Sequence, residues 1–212
     1  RYRNPVILLG DGEIGHMREN ITFPDPKDIR IEPRRTVKGD EPHAGGDDVP
    51  PMFEFGEGLL RHVTGSTHKP SGMRDVNTQS VHEKLATRLV AKIEKAREEI
   101  ARVEKTELDD AEVAIIAYGA ASRPAAGAVR AASRKGLPVG MLRLICVWPF
   151  PQAQVAEVGE RVKKIIVPEM NLGQLNREIE RFVPCPVVPV SKIGGVSHTI
   201  AEILHAAEEA LK

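Results

Sequence analysis

The sequence holds two cysteines, one tryptophan and 4% aromatic residues, and its 30 Lys and Arg are cancelled by 30 Asp and Glu. Each scarcity excludes something. Without a basic excess the chain lacks the electrostatic footprint of a nucleic-acid binder. It also lacks the charge that draws a protein to an anionic bilayer. No run approaches the roughly 18 consecutive apolar residues of a membrane-spanning helix. Cys146 and Cys185 form no C-x-x-C pair, so neither an iron–sulfur cluster nor a zinc site built within this chain is expected. Cys146 lies in the apolar run Leu144-Ile145-Cys146-Val147, where a thiol acts as a small hydrophobe. Two unlinked cysteines suit a reducing cytoplasm. The opening Arg1-Tyr2-Arg3-Asn4-Pro5 has no signal-peptide shape and meets Val6-Ile7-Leu8-Leu9 at once. That reads as a chain starting inside a fold: a processed or truncated piece, or one half of a longer polypeptide.

What is present suits one domain, or one and a half, of an ordinary soluble globular protein: 212 residues, 41% apolar and 28% charged. The character changes along the chain. Residues 1–20 carry one strand-like run and glycine-rich punctuation. Residues 21–77 are irregular, with prolines from Pro24 to Pro70 and no sustained period. Segments of this kind wrap a neighbour or are mobile, and Met52, Phe53, Phe55, Leu59 and Leu60 favour wrapping. Residues 78–105 are expected to form one long helix, because Leu85, Leu89, Ile93, Ala96, Ile100 and Val103 recur at helical spacing.

From residue 111 strands and helices alternate. Strand-length apolar runs cover 113–118, 139–147, 164–167 and 187–190. Between them lie helical stretches: one capped by Ser122 and closed by Gly136, then 152–162, then 174–182, and a last helix capped by Ser197. Strands without alternation are buried on both faces, as parallel sheets require. The expected fold is α/β, a three-layer sandwich with a mostly parallel sheet, preceded by an irregular arm and a long helix.

The motif Gly10-Asp11-Gly12-Glu13-Ile14-Gly15 matches G-x-G-x-x-G, but Pro24 and Pro26 leave no room for the crossover helix of a dinucleotide site. A tight turn is the better reading. The seven histidines show no metal spacing. Thr64-Gly65-Ser66-Thr67-His68 is a polar cluster that faces a site or an interface, or is a surface turn. Ligands of open parallel sheets collect beyond the strands' carboxyl ends, here residues 119–122, 148–151, 169–173 and 192–195. None is a phosphate loop or a nucleophile elbow. Glu169 and Asn171 can hydrogen-bond across this edge, and Asn171 can equally cap a helix. Arg143 is an ion-pair anchor or points to an interface. Asp11, His16, Thr64, His68, Arg143, Glu169 and Asn171 are therefore the candidate interface or site-facing residues. No catalytic residue is assigned, and the residues alone describe a docking layer without its own chemistry.

Several segments resemble, in order, the alpha subunit of 2-oxoacid:ferredoxin oxidoreductases, particularly the 2-oxoglutarate type. They are Pro5-Val6-Ile7-Leu8-Leu9 with Gly15-His16-Met17-Arg18-Glu19, and His62-Val63-Thr64-Gly65-Ser66-Thr67-His68 with Gly72. They continue through Tyr118-Gly119, Arg123, Ala128-Val129, Gly136, Val139-Gly140 and Arg143. Most specific are Trp148-Pro149-Phe150-Pro151 and Glu169-Met170-Asn171-Leu172-Gly173-Gln174. The resemblance implies a transketolase C-terminal-like domain over 78–212, a remnant of a pyrimidine-side thiamine domain in 1–20, and a connector arm between. It implies a complex with a beta subunit, further small subunits and ferredoxin, and with thiamine diphosphate, Mg2+, an iron–sulfur cluster and CoA, none bound by this chain alone. No nucleic acid and no membrane partner is expected. Another thiamine enzyme's C-terminal domain, or a flavodoxin-like binding module, are the alternatives.

Overall fold

The computed structural model describes residues 1–39 and 41–212. Compactness divides it into two units: residues 1–7 with 18–96, and residues 8–17 with 97–212.

In the first unit the irregular segment is tied down by cationic side chains that donate to backbone carbonyls. Such carbonyls need partners wherever no ladder supplies them. One guanidinium nitrogen of Arg3 donates to the carbonyls of His43 (2.5 Å), Pro50 (3.1 Å) and Pro51 (2.9 Å). Helix α2 (Gln79–Lys95), numbered after the five-residue α1 (Gly12–His16) of the second unit, adds more. Its Arg88 donates to Ala44 and Asp48 carbonyls, and its Lys95 pairs with the Asp48 carboxylate at 2.7 Å. Val37, His43 and Phe53 are buried beneath these links.

The helix expected over 78–105 is shorter. It ends at Lys95, a single turn α3 follows (Arg97–Ile100), and the chain then extends as β1 (Val103–Thr106). Val103 lies opposite Leu144, and all of β1 pairs antiparallel with β3. Ladder hydrogen bonds and a β-branched side chain's preference for a pleated surface override the helical period there.

The second unit contains the sheet. In chain order after β1 come β2 (Val113–Tyr118), α4 (Ser122–Arg134), β3 (Val139–Leu144), α5 (Gln152–Arg161), β4 (Lys164–Glu169), α6 (Gln174–Ile179), β5 (Val187–Ser191) and α7 (Ile200–Ala210). The strand order is β1-β3-β2-β4-β5. Every pairing is parallel except that of the edge strand β1. Alternate residues of β2 face opposite layers. Ala114 and Ile116 pack with Val155, Val158, Leu175 and Ile179 of α5 and α6. Val113, Ile115 and Ala117 pack with Ala125, Val129, Ile203 and Ala207 of α4 and α7. The three-layer, mostly parallel architecture is thus as expected, with an antiparallel edge strand added.

The segment 10–15, expected as a tight turn, runs into the short helix α1 instead, and the strand-like run Pro5-Val6-Ile7-Leu8-Leu9 forms no strand. Three further local details differ from expectation. A 3-10 turn, Gly119–Ala121, runs straight into α4. Ser122 is therefore inside the helix rather than capping it, and its buried hydroxyl has no partner among the described residues. The last helix is capped by Thr199, not Ser197. Thr199 accepts from the N–H of Glu202, whose carboxylate reaches back to the Thr199 N–H at 2.7 Å. Only Thr199 has an acid three residues on, as a capping box needs. Finally, β3 stops at Leu144, because the N–H groups of Ile145 and Cys146 turn to the Arg102 carbonyl. Among the described residues no helix is long and apolar enough to cross a membrane.

Candidate functional site

In the second unit, the chain leaves β2 for α4 on one face and leaves neighbouring β4 for α6 on the other. Adjacent strands whose helices go opposite ways open a crevice at their carboxyl ends, where open α/β sheets bind ligands. Tyr118 ends β2 and Glu169 ends β4.

Glu169 is 1% exposed. Its two carboxylate oxygens accept from the N–H groups of Leu175 and Asn176, each at 2.8 Å. These are orphan donors in the first turn of α6, which a side-chain oxygen must satisfy. Asn171 continues the cap: its Oδ1 accepts from Gly173 (2.8 Å) and Gln174 (3.1 Å). Its Nδ2 donates to the Tyr118 hydroxyl at 3.2 Å. Burial, and then the Glu169 carboxylate, push the Tyr118 phenol up, while the Asn171 bond partly opposes this. Tyr118 therefore stays protonated at neutral pH and keeps its O–H for donation. The cluster has no nucleophile beside a base, and both oxygens of its carboxylate are engaged by α6. It orders the edge and presents a hydrogen-bond donor. Trp148, four residues past the end of β3, and Leu172, next to Asn171, are 67% and 71% exposed.

The other candidates fall elsewhere. Arg143, in β3, pairs across the ladder with Glu104 of β1 at 2.9 Å, so the ion-pair reading is the one observed. Asp11 is half-buried, and His16 is exposed at the end of α1. Thr64 and His68 belong to the first unit, where they line one cavity of about 100 Å³ with Arg3, His43 and His62. Thr64 Oγ1 accepts from the Ser66 N–H, and His68 Nδ1 lies 2.8 Å from the Ser66 carbonyl. The 64–68 loop thus folds on itself and faces a cavity.

Residues 111–203 match the family described as pyruvate:ferredoxin oxidoreductase core domain II. The 2-oxoglutarate synthase subunit KorA of Methanothermobacter thermautotrophicus is 40% identical over 96% of this chain and 56% of its own length. The ketoisovalerate oxidoreductase subunit VorB of the same organism is 29% identical over 99% of this chain and 53% of its own length. A solved 2-oxoglutarate:ferredoxin oxidoreductase from Magnetococcus marinus superposes with a TM-score of 0.81 at 26% identity, covering 91% of this chain and 35% of that one. The likeness to 2-oxoglutarate-type alpha subunits runs through nearly the whole chain, which spans about half the length of the relatives it matches.

Of the residues at these sites, the sequence reading missed Tyr118. Its only signal is a phenol closing an otherwise aliphatic strand run. It also missed His43, which looks like an isolated loop histidine until the fold buries it to 3% exposure. The donor set does not fit the group's metal cofactors within this chain. Among the described residues no three His, Cys, Asp or Glu side chains converge on a metal position. Cys146 and Cys185 are free, and burial raises the Cys185 thiol away from the thiolate a cluster needs. Glu169, the one buried acid at the crevice, is already consumed by α6.

Proposed function

We propose that this chain is the domain II portion of a 2-oxoglutarate:ferredoxin oxidoreductase alpha subunit, and that its part in the complex is assembly and positioning. The complex converts 2-oxoglutarate and CoA to succinyl-CoA and CO2 and passes the two electrons to ferredoxin in the cytoplasm. Thiamine diphosphate and Mg2+ supply the decarboxylation chemistry and an iron–sulfur cluster carries the electrons. Both are held with the beta subunit and further small subunits rather than by this chain alone. Residues 1–20 are the tail of a neighbouring domain and 21–77 a connector arm. Neither nucleic acid nor membrane is a partner.

One observation carries the positioning role. The crevice is ordered by a carboxylate and an amide whose oxygens are all engaged by the start of α6, while Trp148, on the segment that follows β3, and Leu172, next to Asn171, are exposed. Exposed aromatic and aliphatic side chains at a rigid edge are what a subunit interface uses as anchors. The closer identity to 2-oxoglutarate synthase than to ketoisovalerate oxidoreductase subunits supports the substrate choice. The test is CoA-dependent reduction of methyl viologen by the complex containing this chain, with 2-oxoglutarate, pyruvate and 2-oxoisovalerate compared. Fastest reduction with 2-oxoglutarate is expected. Preference for another 2-oxoacid overturns the substrate, and no reduction by an assembled complex overturns the reaction.

A further inference from the structure

The cavity of the first unit is cationic and has polar groups waiting. No acid lines it; Arg3, His43, His62, Thr64 and His68 do. Beside it the Arg61 guanidinium sits over the Phe53 ring, 5.9 Å from the centroid. Nε and Nη2 of Arg61 are buried and find no partner among the described residues. Buried guanidinium N–H groups call for acceptors, and in Arg61 only Nη1 has one among the described residues, the Glu41 carbonyl at 3.4 Å.

The histidines narrow the chemistry. His43 packs edge-on against Phe53 at 4.8 Å. Its Nε2 lies 3.3 Å from the His62 carbonyl, so it bears the proton and Nδ1 is left as an acceptor. That Nδ1 is buried and unpartnered among the described residues. Burial, with Arg61, Arg3 and His68 behind it, favours the neutral ring. His68 uses Nδ1 for the Ser66 carbonyl, which leaves its Nε2 as a second acceptor when neutral. The Thr64 hydroxyl, having accepted from Ser66, is free to donate. Gly72 makes the space. Its φ is +86°, and a Cβ there would stand 2.4 Å from the His62 oxygen and 2.5 Å from His43 Nε2.

Guanidinium and hydroxyl donors together with imidazole acceptors call for a ligand that is anionic and still carries a proton. A cation is repelled by Arg3 and Arg61. Sulfate has charge but no O–H for the imidazole. We propose that this cavity binds a phosphate group in its hydrogen-phosphate form, with Thr64 donating to its oxygens, a P–OH donating to His43 Nδ1, and Arg61 supplying positive charge from over the Phe53 ring. The proposal is independent of the oxidoreductase assignment.

The test is calorimetric titration of the full chain with inorganic phosphate, sulfate and glycerol phosphate at constant ionic strength. Phosphate, or the monoester below about pH 6 where it still carries its proton, is expected to bind at least about tenfold more tightly than sulfate, the discrimination of one charge-assisted hydrogen bond. The tighter of the two identifies free phosphate or a phosphorylated ligand as the source. Arg61→Gln and Thr64→Val should each weaken binding by about tenfold or more. If Arg61→Gln fails to fold, Thr64→Val and the shift of the His43 ring resonances on phosphate addition decide. Equal binding of sulfate, no heat with millimolar phosphate, or unchanged binding by folded variants overturns the proposal.

Discussion

Asn171 donates to the hydroxyl of Tyr118 at 3.2 Å, and this single bond joins the carboxyl ends of two neighbouring parallel strands. It couples the first turn of α6 to β2 through a side chain whose other end caps that helix. The edge of the sheet is thereby one hydrogen-bonded unit: Tyr118 to Asn171, Asn171 to Gly173 and Gln174, and Glu169 to the next two N–H groups.

Glu169 is the most consequential residue of this unit. Glu169→Gln keeps the shape but turns an amide N–H2 toward a backbone N–H. A loss of roughly 1–3 kcal/mol is expected, because a buried donor goes unsatisfied and a charge-assisted bond is lost. The exposed Glu178→Gln, which only breaks a surface pair with Arg181, should cost less than about 0.5 kcal/mol. Urea denaturation of the full chain compares the two; equal midpoints would show that the cap contributes little.

Tyr118 should ionise above the usual phenol value of about 10, because burial and then Glu169 disfavour the phenolate. The folded value is raised, so the protonated group stabilises the fold below about pH 10, and that contribution is lost as pH rises through the folded value. Asn171→Ala removes the bond that favours the phenolate and should move the titration higher still. Phenolate absorbance, with Tyr118→Phe identifying the component, measures both shifts. A downward move on Asn171→Ala contradicts the assignment.

Two glycines should respond oppositely to alanine. A Cβ on Gly140 in β3 would lie 2.4 Å from the Glu107 carbonyl oxygen, which is backbone and cannot step aside. Gly140→Ala should destabilise by about 1–3 kcal/mol. A Cβ on Gly127 in α4 would meet only Ile200 side-chain carbons at 2.6 and 2.7 Å, and Ile200 is 47% exposed and free to turn. The gain in helix propensity, about 1 kcal/mol, offsets that shift, so Gly127→Ala should be near neutral. Thermal melts of the two variants separate the cases.

Glu202 is held down to about 2, first by the Lys192 ammonium and then by the Thr199 N–H and hydroxyl. Its folded value lies below the unfolded value of about 4.3. Its stabilisation is therefore full above about pH 4.3 and fades as pH falls toward 2. Carboxyl-carbon NMR should show the depressed titration, and Lys192→Met should raise it, with the Thr199 bonds still holding it below normal. An unchanged titration in Lys192→Met would assign the shift to the cap alone.

The core of the sheet was legible because its signal is local. Val113-Ala114-Ile115-Ile116-Ala117 is apolar at every position, and only burial on both faces tolerates that, so a parallel sheet follows from composition and order. The end of α2 was not legible, since Ile100 and Val103 continue the helical stripe and only the partner strand β3 decides that Val103 extends. The cap of α7 was legible as Thr199 with Glu202, the stronger pair in plain text, although Ser197 was expected.

The sequence by itself determined the α/β class, the helix faces and the absence of a metal-ligand spacing, all of which depend on neighbours within a turn or a strand. Tertiary structure alone decided that Arg143 meets Glu104, that Tyr118 meets Asn171, and that His43 is buried with a lone nitrogen beside Arg61. Those pairs are separated by 39, 53 and 18 positions in the chain. No periodicity carries across such a distance; the strand order and the closing of the loops bring these groups together.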